Sequence, residues 1–291
     1  MALLVAGSLL IAVHVIVGLG SPPALVQAAA SSDLPSAVAT SEEAQNARAL
    51  LQMINEERRL VGAPPLVWND RLAEVAQAHA RLLAERKELT HDFPGEPPLR
   101  QRMAATNLRL DRSGENVGFD SSIAAAHEGF MHSPRHRENM LNPIYNTAGI
   151  GVVRRGKMFY ITEDFARVLP DMTEAEAQAA VEKSFADLRR SAGQPLLRRV
   201  DNARAHELAC SMAHDDELNT SRAMALPGAR HVAAYTATQP SQLSPDVVEL
   251  RNVKDVDRYA LGVCFARTPK YPGGVFWVLM VFFSPQMGTS A

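Results

Sequence analysis

The chain has few cysteines and no excess of charge of either sign. Two cysteines in 291 residues exclude a small disulfide-stapled scaffold and a zinc site built from four thiolates. With 30 basic and 32 acidic residues, the formal net charge of −2 argues against binding of nucleic acid through a generally basic surface. An apolar share of 46% with 21% charged residues is typical of a folded protein with its own core.

The N-terminal segment lacks charge altogether: its first acidic or basic residue is Asp33. Ala2–Leu19 is almost entirely apolar, a proline pair then ends any helix, and an alanine-rich stretch resembles an export cleavage site. We interpret 1–30 as a signal peptide and 31–40 as a linker. The alternative is an uncleaved anchor, because an apolar run of this length is just enough to cross a bilayer. Either interpretation predicts an exported protein, periplasmic or extracellular, that meets a membrane only through this segment if it is not cleaved.

Beyond the linker, the periodicity of apolar residues predicts helices first and a hairpin afterwards. The predicted elements of the first half are helices from Ser41 and from Asn69 or Asp70, a strand at 114–119, short helices at 123–131 and 134–141, and a hairpin of strands at 149–154 and 158–165. Near the C-terminus, 275–283 is predicted to be a buried strand. This order favours an α+β sandwich over a doubly wound parallel sheet.

The second half repeats the pattern of the first at a constant spacing of 131 residues. The matched pairs are Arg58 and Arg189, Arg59 and Arg190, Gly62 and Gly193, Pro64 and Pro195, Leu66 and Leu197, and Asp70 and Asp201. We interpret the repeat as a duplication that gives domains at 41–170 and 171–291. The alternative is that Arg, Gly and Pro recur by chance in helix–turn–helix stretches.

Three ionisable residues lie at predicted loop edges, where functional sites concentrate. They are His91, Glu115 and His136, and they are the candidate catalytic residues. His91 and His136 are also the candidate metal ligands, although catalytic zinc usually takes three protein ligands. Glu115 has three possible roles: a third ligand, a partner that orients a histidine, or a general base. The alternative is structural, with Glu115 holding a loop and His136 starting a helix.

The motifs around these residues resemble the bacterial branch of the CAP superfamily. That family also contains cysteine-rich secretory proteins, antigen-five venom proteins and plant pathogenesis-related proteins. The matching motifs, in order over about residues 45–166, are Asn55…Arg59…Gly62…Leu66, Thr90-His91, Gly114-Glu-Asn-Val117, Ser133-Pro-x-His-Arg-x-Asn-Met-Leu141, Gly149-Ile-Gly-Val152 and Phe159-Tyr-Ile-Thr-x-x-Phe165. The resemblance implies a three-layer α-β-α sandwich of the CAP (SCP) type, here in two tandem copies.

The resemblance also implies secretion and a shallow cleft with two His and usually two Glu, which can bind a divalent metal such as zinc. By this resemblance, His91, Glu115 and His136 are three of the four cleft positions. Ser133 stands at the place of the second Glu, and Glu163 stands where relatives tend to carry Gln. The second half lacks the Gly-Glu-Asn and Ser-Pro-x-His-Arg motifs and is expected to be a degenerate copy.

We therefore expect an exported binding protein whose cleft, with zinc as its candidate cofactor, takes a lipid, a glycan or a peptide. The alternative is a zinc-assisted hydrolase of peptide, ester or cell-wall bonds, in which Glu115 activates water. A further alternative gives the second half the role of docking the first to an envelope partner. Cys210 is predicted in a helix and Cys264 in a strand; they form a disulfide or stay as buried free thiols.

Overall fold

Two four-stranded sheets, each covered by helices, make up residues 39–285, the part of the chain that the computed structural model describes. The elements of the first half are α1 (Ser41–Leu60), β1 (Val67–Trp68), α2 (Asp70–Arg86), α3 (Leu99–Ala105), β2 (Leu110–Asp120), α4 (Ile123–His132), α5 (Pro134–Leu141), β3 (Thr147–Arg155) and β4 (Met158–Val168). Those of the second half are α6 (Glu174–Ser191), β5 (Arg198–Arg199), α7 (Ala203–Asp215), α8 (Ser221–Met224), β6 (Ala229–Ala237), α9 (Pro245–Glu249), β7 (Arg258–Ala266) and β8 (Val275–Phe283).

Both sheets have the same topology. The strand order is β1-β3-β4-β2 in the first and β5-β7-β8-β6 in the second. In each, the short first strand pairs in parallel and the other pairings are antiparallel. All nine residues of β8 are buried, which confirms the predicted buried strand.

Helices cover both faces of the first sheet, so the predicted α-β-α layering is confirmed. On one face, α1, α4 and α5 pack on the sheet around Leu50, Phe130 and Phe165. On the other face, α2 lies so close to β3 that a Cβ on Gly149 would fall 2.2 Å from the backbone of Ala73. Only glycine allows this approach, which lets the first turn of α2 pack directly on β3.

Local signals account for the helix boundaries. Thr40 and Glu43 form a capping box at the start of α1, and Asn69 caps α2 by accepting a hydrogen bond from the backbone N–H of Leu72. The predicted starts at Ser41 and Pro134 are confirmed. The helix α3 was not predicted, because it has only seven residues and no side-chain cap.

One buried arginine in each half ties a helix to loop carbonyls. The guanidinium of Arg58 donates hydrogen bonds to the carbonyl oxygens of Pro64, Met140, Asn142 and Tyr145. Arg189, which lies 131 residues later, donates in the same way to Pro195 and to two further loop carbonyls. This shared role and the shared strand order support the duplication, which stays a prediction.

The two halves contact each other along α3, β2 and the end of β7. Arg109 Nη2 donates to the carbonyl of Thr238 at 2.7 Å, and Arg267 Nη2 donates to the carbonyl of Asn107 at 3.0 Å. All the described residues fall in one compact unit. The predicted boundary near residue 171 falls between β4 and α6, where the chain passes from the first sheet to the second half, and the division into two domains stays a prediction.

Cys210 and Cys264 form a disulfide, with their Cα atoms 5.2 Å apart. It joins α7 to β7 and closes 54 residues of sequence. Of the two states that the sequence left open, the paired one is confirmed.

Within residues 39–285, no helix combines the length and the apolar character that crossing a membrane requires. The predicted signal peptide at 1–30 and all but the last two residues of the linker at 31–40 lie outside the described residues.

Candidate functional site

The candidate site is built on two consecutive positions of the strand pair β2–β4. Glu115 lies opposite Asp164, and Asn116 lies opposite Glu163. Because side chains alternate along a strand, the first pair points to the α2 face and the second pair points to the face covered by α4 and α5. All four side chains are buried.

Glu115 holds His91, which lies in the loop between α2 and α3. The Nδ1 atom of His91 is 2.8 Å from Oε1 of Glu115. The His91 side chain is 54% exposed, whereas that of Glu115 is only 1% exposed. This hydrogen bond raises the pKa of His91 above its ordinary value. The bond also occupies Nδ1, so Nε2 is the ring nitrogen left to meet a ligand.

Arg102 on α3 completes this side of the site. It donates to Oε2 of Glu115 and to the carbonyl of His91, each at 2.9 Å. Burial alone would raise the pKa of Glu115, but the hydrogen bonds from His91 and Arg102 outweigh it and hold that pKa below its ordinary value. Glu115 is therefore an ionised carboxylate with both oxygens engaged. Arg102 was not predicted as a site residue, because nothing in its local sequence distinguishes it from an exposed helix arginine.

A second buried pair fixes the loop that carries His91. His79 of α2 is fully buried, with Nδ1 at 2.8 Å from Oε1 of Glu96 and Nε2 at 2.9 Å from the carbonyl of Thr90. Both ring nitrogens face acceptors, so the pair holds the loop at two points. Glu96 also lies 3.5 Å from Nε of Arg102, which links this pair to the charged set around Glu115.

Asn116 supports His136 on the opposite face of the sheet. Its Nδ2 atom donates to the carbonyl of His136 at 3.1 Å and to Oε2 of Glu163 at 3.0 Å. Its Oδ1 atom accepts from Nδ2 of Asn139 at 2.9 Å. The His136 ring packs edge-on against Phe130, with the ring centroids 5.1 Å apart. Burial, followed by the positive charge of His91, lowers the pKa of His136, so the two imidazoles influence each other.

Two buried carboxyl groups occupy consecutive positions of β4 and point to opposite faces of the sheet. Burial raises the pKa of Glu163 to about 8, so this side chain is neutral at pH 7. Burial also raises the pKa of Asp164 well above its ordinary value, and the negative charge of Glu115 raises it further. Asp164 was not predicted as a site residue, although two consecutive acids inside an otherwise buried strand are unusual enough to indicate a site.

The site residues meet the needs of a zinc ion only in part. His91 offers Nε2, with Nδ1 held by a carboxylate as in many metal-bound histidines. Glu115 is committed to His91 and Arg102, and Ser133, where the resemblance implied a second Glu, stands at the N-cap position of α5 and carries no carboxylate. Within residues 39–285, no group of three or more His, Cys, Asp or Glu side chains is arranged to hold a metal. The set therefore does not fit the three-ligand pattern of catalytic zinc.

The second half has apolar residues at the corresponding positions. A Cβ on Gly262 of β7 would meet the α7 backbone at Ala205, just as one on Gly149 would meet α2. Gly149 lies opposite Asp164 in its sheet, and Gly262 lies opposite Leu279. Leu279 in turn pairs with Ala234, which the match of the two glycines places at the position of Glu115.

Comparison with known proteins identifies the same region. The model of the "Cysteine-rich secretory protein family" (CAP) matches residues 51–165. The chain is 29% identical over 119 residues to the "Uncharacterized membrane protein YlbC" of Bacillus subtilis (strain 168), which is 40% of this chain and 33% of that protein. It is 24% identical over 130 residues to the "Uncharacterized protein YkwD" of the same organism, covering 44% and 49%. The matches thus span about a third and about half of these relatives.

Among solved structures, the chain is similar to an extracellular protein containing a SCP domain from Bacillus anthracis str. Ames. The sequence identity is 26%, the TM-score is 0.41, and the match covers 45% of this chain and 44% of that one. The segment matched by the family model contains the whole set of His91, Glu115 and His136. Over residues 51–165, the chain is therefore similar to the CAP family of cysteine-rich secretory proteins.

Proposed function

We propose that this chain is an extracytoplasmic binding protein whose ligand contacts the imidazoles of His91 and His136. The observation that carries the proposal is the contrast in burial around His91. The residues that hold it, Glu115 and Arg102, are buried, whereas the imidazole itself is half exposed. A rigid, charged support behind one exposed polar group is what a recognition site requires.

The geometry favours a polar ligand lying across the surface. Nε2 of His91 can donate or accept a hydrogen bond, and the raised pKa of His91 favours the donor form. An apolar groove of about 440 Å³ lies elsewhere, between α1 and α2 beside Trp68. Among the ligand classes that the sequence suggested, a cell-wall glycan or a peptide therefore suits the His91 site better than a lipid.

Two features support a location outside the cytoplasm. The N-terminal apolar stretch has the composition of an export signal or an anchor. The disulfide between Cys210 and Cys264 is of a kind that persists in oxidising compartments. One similar protein, YlbC, is itself named as a membrane protein.

Titration of the protein with soluble muropeptides, unmodified peptides and phospholipid vesicles tests the proposal. We expect muropeptides or peptides to shift the NMR signals of His91 and His136, and His91→Ala to weaken binding at least about tenfold. His214→Ala, at an exposed histidine of the second half, is the matched control and leaves binding unchanged. Binding by vesicles alone, or equal binding by His91→Ala and wild type, contradicts the proposal.

The zinc-assisted hydrolase remains the alternative, and one experiment addresses it. Calorimetric titration with zinc compares the wild type with the His91→Ala/His136→Ala double variant. Zinc binding that the double variant loses, together with turnover of peptides, esters or muropeptides, favours the hydrolase. Absence of zinc binding, or binding unchanged in the double variant, rules out the metal-dependent versions at this pair.

A further inference from the structure

Asp164 is a buried acid that takes no part in the contacts of the His91 site described above. Its side chain is fully buried at the centre of the first sheet, and neither carboxylate oxygen has a hydrogen-bond donor among the described residues. Ionised and without donors, such a group would be among the most costly that a core can hold. Its presence therefore calls for a specific partner.

The neighbour across the strand pair is Glu115. One oxygen of Glu115 faces His91 and the other accepts from Arg102, so Glu115 is the ionised member of the pair. Two carboxylates side by side repel each other, but a neutral carboxyl group donates a strong hydrogen bond to an ionised one. A proton on Asp164 thus removes the repulsion and supplies the missing hydrogen bond.

The charged groups around Asp164 agree with this assignment. Glu115 on β2 and Glu96 in the loop before α3 both favour the protonated form of Asp164, and Arg102 on α3 opposes them. Burial is the largest influence, and it raises the pKa of Asp164 well above its ordinary value. His91 and His79 act on the pair through Glu115.

The second half indicates that the fold does not need the acid. Matching the sheets through Gly149 and Gly262 places Leu279 and Ala234 where the first half has Asp164 and Glu115, and matching them through their parallel strand pairs places Val281 and Val232 there. With either match, an apolar pair at this position is compatible with the architecture. Within residues 39–285, the sheet with the carboxyl pair is also the one that carries the His91 site.

We propose that Asp164 is a positioning residue of the His91 site, whose protonated carboxyl donates a hydrogen bond to Glu115 and so orients Glu115 towards His91. The proposal rests on the proposed function in one respect, that the His91 imidazole meets the ligand. It adds a third member to the support: Asp164 fixes Glu115, and Glu115 fixes Nδ1 of His91. Asp164 itself does not contact the ligand.

Two variants and two measurements test this role without any ligand. Asp164→Asn keeps a donor and removes only the capacity to ionise; Asp164→Leu copies the second half. If Asp164 is protonated, the NMR titration midpoint of His91 is unchanged in Asp164→Asn. It is shifted in Asp164→Leu, and exchange of the His91 Nδ1 hydrogen becomes faster. Glu163→Gln, on the opposite face of the sheet, is the control and leaves His91 unaffected.

Infrared difference spectroscopy at pH 7 reads the proton directly. We expect the band of a buried protonated carboxylic acid in the wild type to be lost in Asp164→Asn. If Asp164 is instead ionised, no such band is lost, and Asp164→Asn lowers the His91 midpoint by about one unit because it removes a nearby negative charge. Either result overturns the proposal, even if Asp164→Leu fails to fold. Because both measurements use the free protein, they are independent of whether a ligand is found.

Discussion

Glu115 and Asn116 are consecutive residues on one strand, and each holds a different histidine. Glu115 bonds the ring of His91 on one face of the sheet, and Asn116 bonds the main chain of His136 on the other. Because side chains alternate along β2, these two consecutive residues reach opposite faces of the sheet and support one histidine each. Any change at this dipeptide is expected to act first on the histidine that the changed side chain holds.

Glu115→Gln tests the contact between Glu115 and the ring of His91. It keeps the size of the side chain but removes its charge, so we expect the raised pKa of His91 to fall towards its ordinary value. It also leaves the buried guanidinium of Arg102 without its charged partner, which should cost about 3 kcal/mol of unfolding free energy. Glu128→Gln, at an exposed position of α4, is the control with no effect on either measurement. A His91 pKa that stays raised in Glu115→Gln would show that the carboxylate is not its cause.

Glu163→Gln tests the pH dependence of stability. The pKa of Glu163 is raised from 4.5 to about 8 in the folded protein. The folded state therefore holds a proton that the unfolded chain loses above pH 4.5, and stability falls by roughly 1.4 kcal/mol for each pH unit up to about 8. The Gln side chain of Glu163→Gln does not titrate, so the unfolding free energy of the variant lacks this decrease with pH. Relative to wild type, the variant is therefore stabilised most at alkaline pH.

Urea unfolding at several pH values between 4.5 and 8 measures this slope. Asp164 contributes a slope of the same sign that remains in the variant, so the difference between the two proteins is the informative quantity. Equal slopes for Glu163→Gln and wild type would mean that Glu163 is ionised in the folded state.

Gly149→Ala tests the close approach of α2 to the sheet. The new Cβ would lie 2.2 Å from backbone atoms of α2, so we expect a loss of about 3 kcal/mol or more, or failure to fold. Gly129→Ala is the matched control, because that glycine lies within α4 with open space around it. The control should gain about 0.5–1 kcal/mol from helix propensity. Similar stabilities for the two variants, measured by thermal unfolding, would show that the helix can move away at little cost.

Arg58→Ala tests the arginine that ties α1 to the loop before β3. The substitution leaves four carbonyl oxygens without their donor, and we expect a loss of about 4 kcal/mol. Arg59→Ala removes an exposed ion pair with Glu56 and should leave the stability nearly unchanged. Arg189→Ala should behave like Arg58→Ala if the second half is a true copy. A small loss of unfolding free energy in Arg189→Ala would instead show that Arg189 does not have the role of Arg58, and would count against the duplication.

The sequence was sufficient to predict the layers and to name His91, Glu115 and His136 as candidate site residues. Helix caps, hairpin glycines and the order of the motifs are local or sequential features, so the helix from Ser41 could be inferred and these candidates could be singled out. The other residues that hold these histidines in place could not be predicted. Arg102 and Glu96 reach the site through contacts between loops, and no periodicity or spacing records such contacts.

Asp164 shows the limit most clearly. Its sequence, Glu163-Asp164 within an apolar strand, marks it as unusual, but its role depends on the register between β2 and β4 that brings it opposite Glu115. A shift of one residue would have turned it to the other face. The register between β2 and β4 is seen only in the structure, and it is this register that places the two carboxyl groups opposite each other.

The disulfide between α7 and β7 has a mechanical consequence for the chain. If the protein is stretched between its ends, the 54 residues that separate Cys210 from Cys264 cannot extend, which withholds roughly 180 Å of contour length. A reductant releases that length. In a single-molecule pulling experiment, the second half would therefore yield a short extension step in oxidising buffer and a long one after reduction, while the step from the first half stays the same.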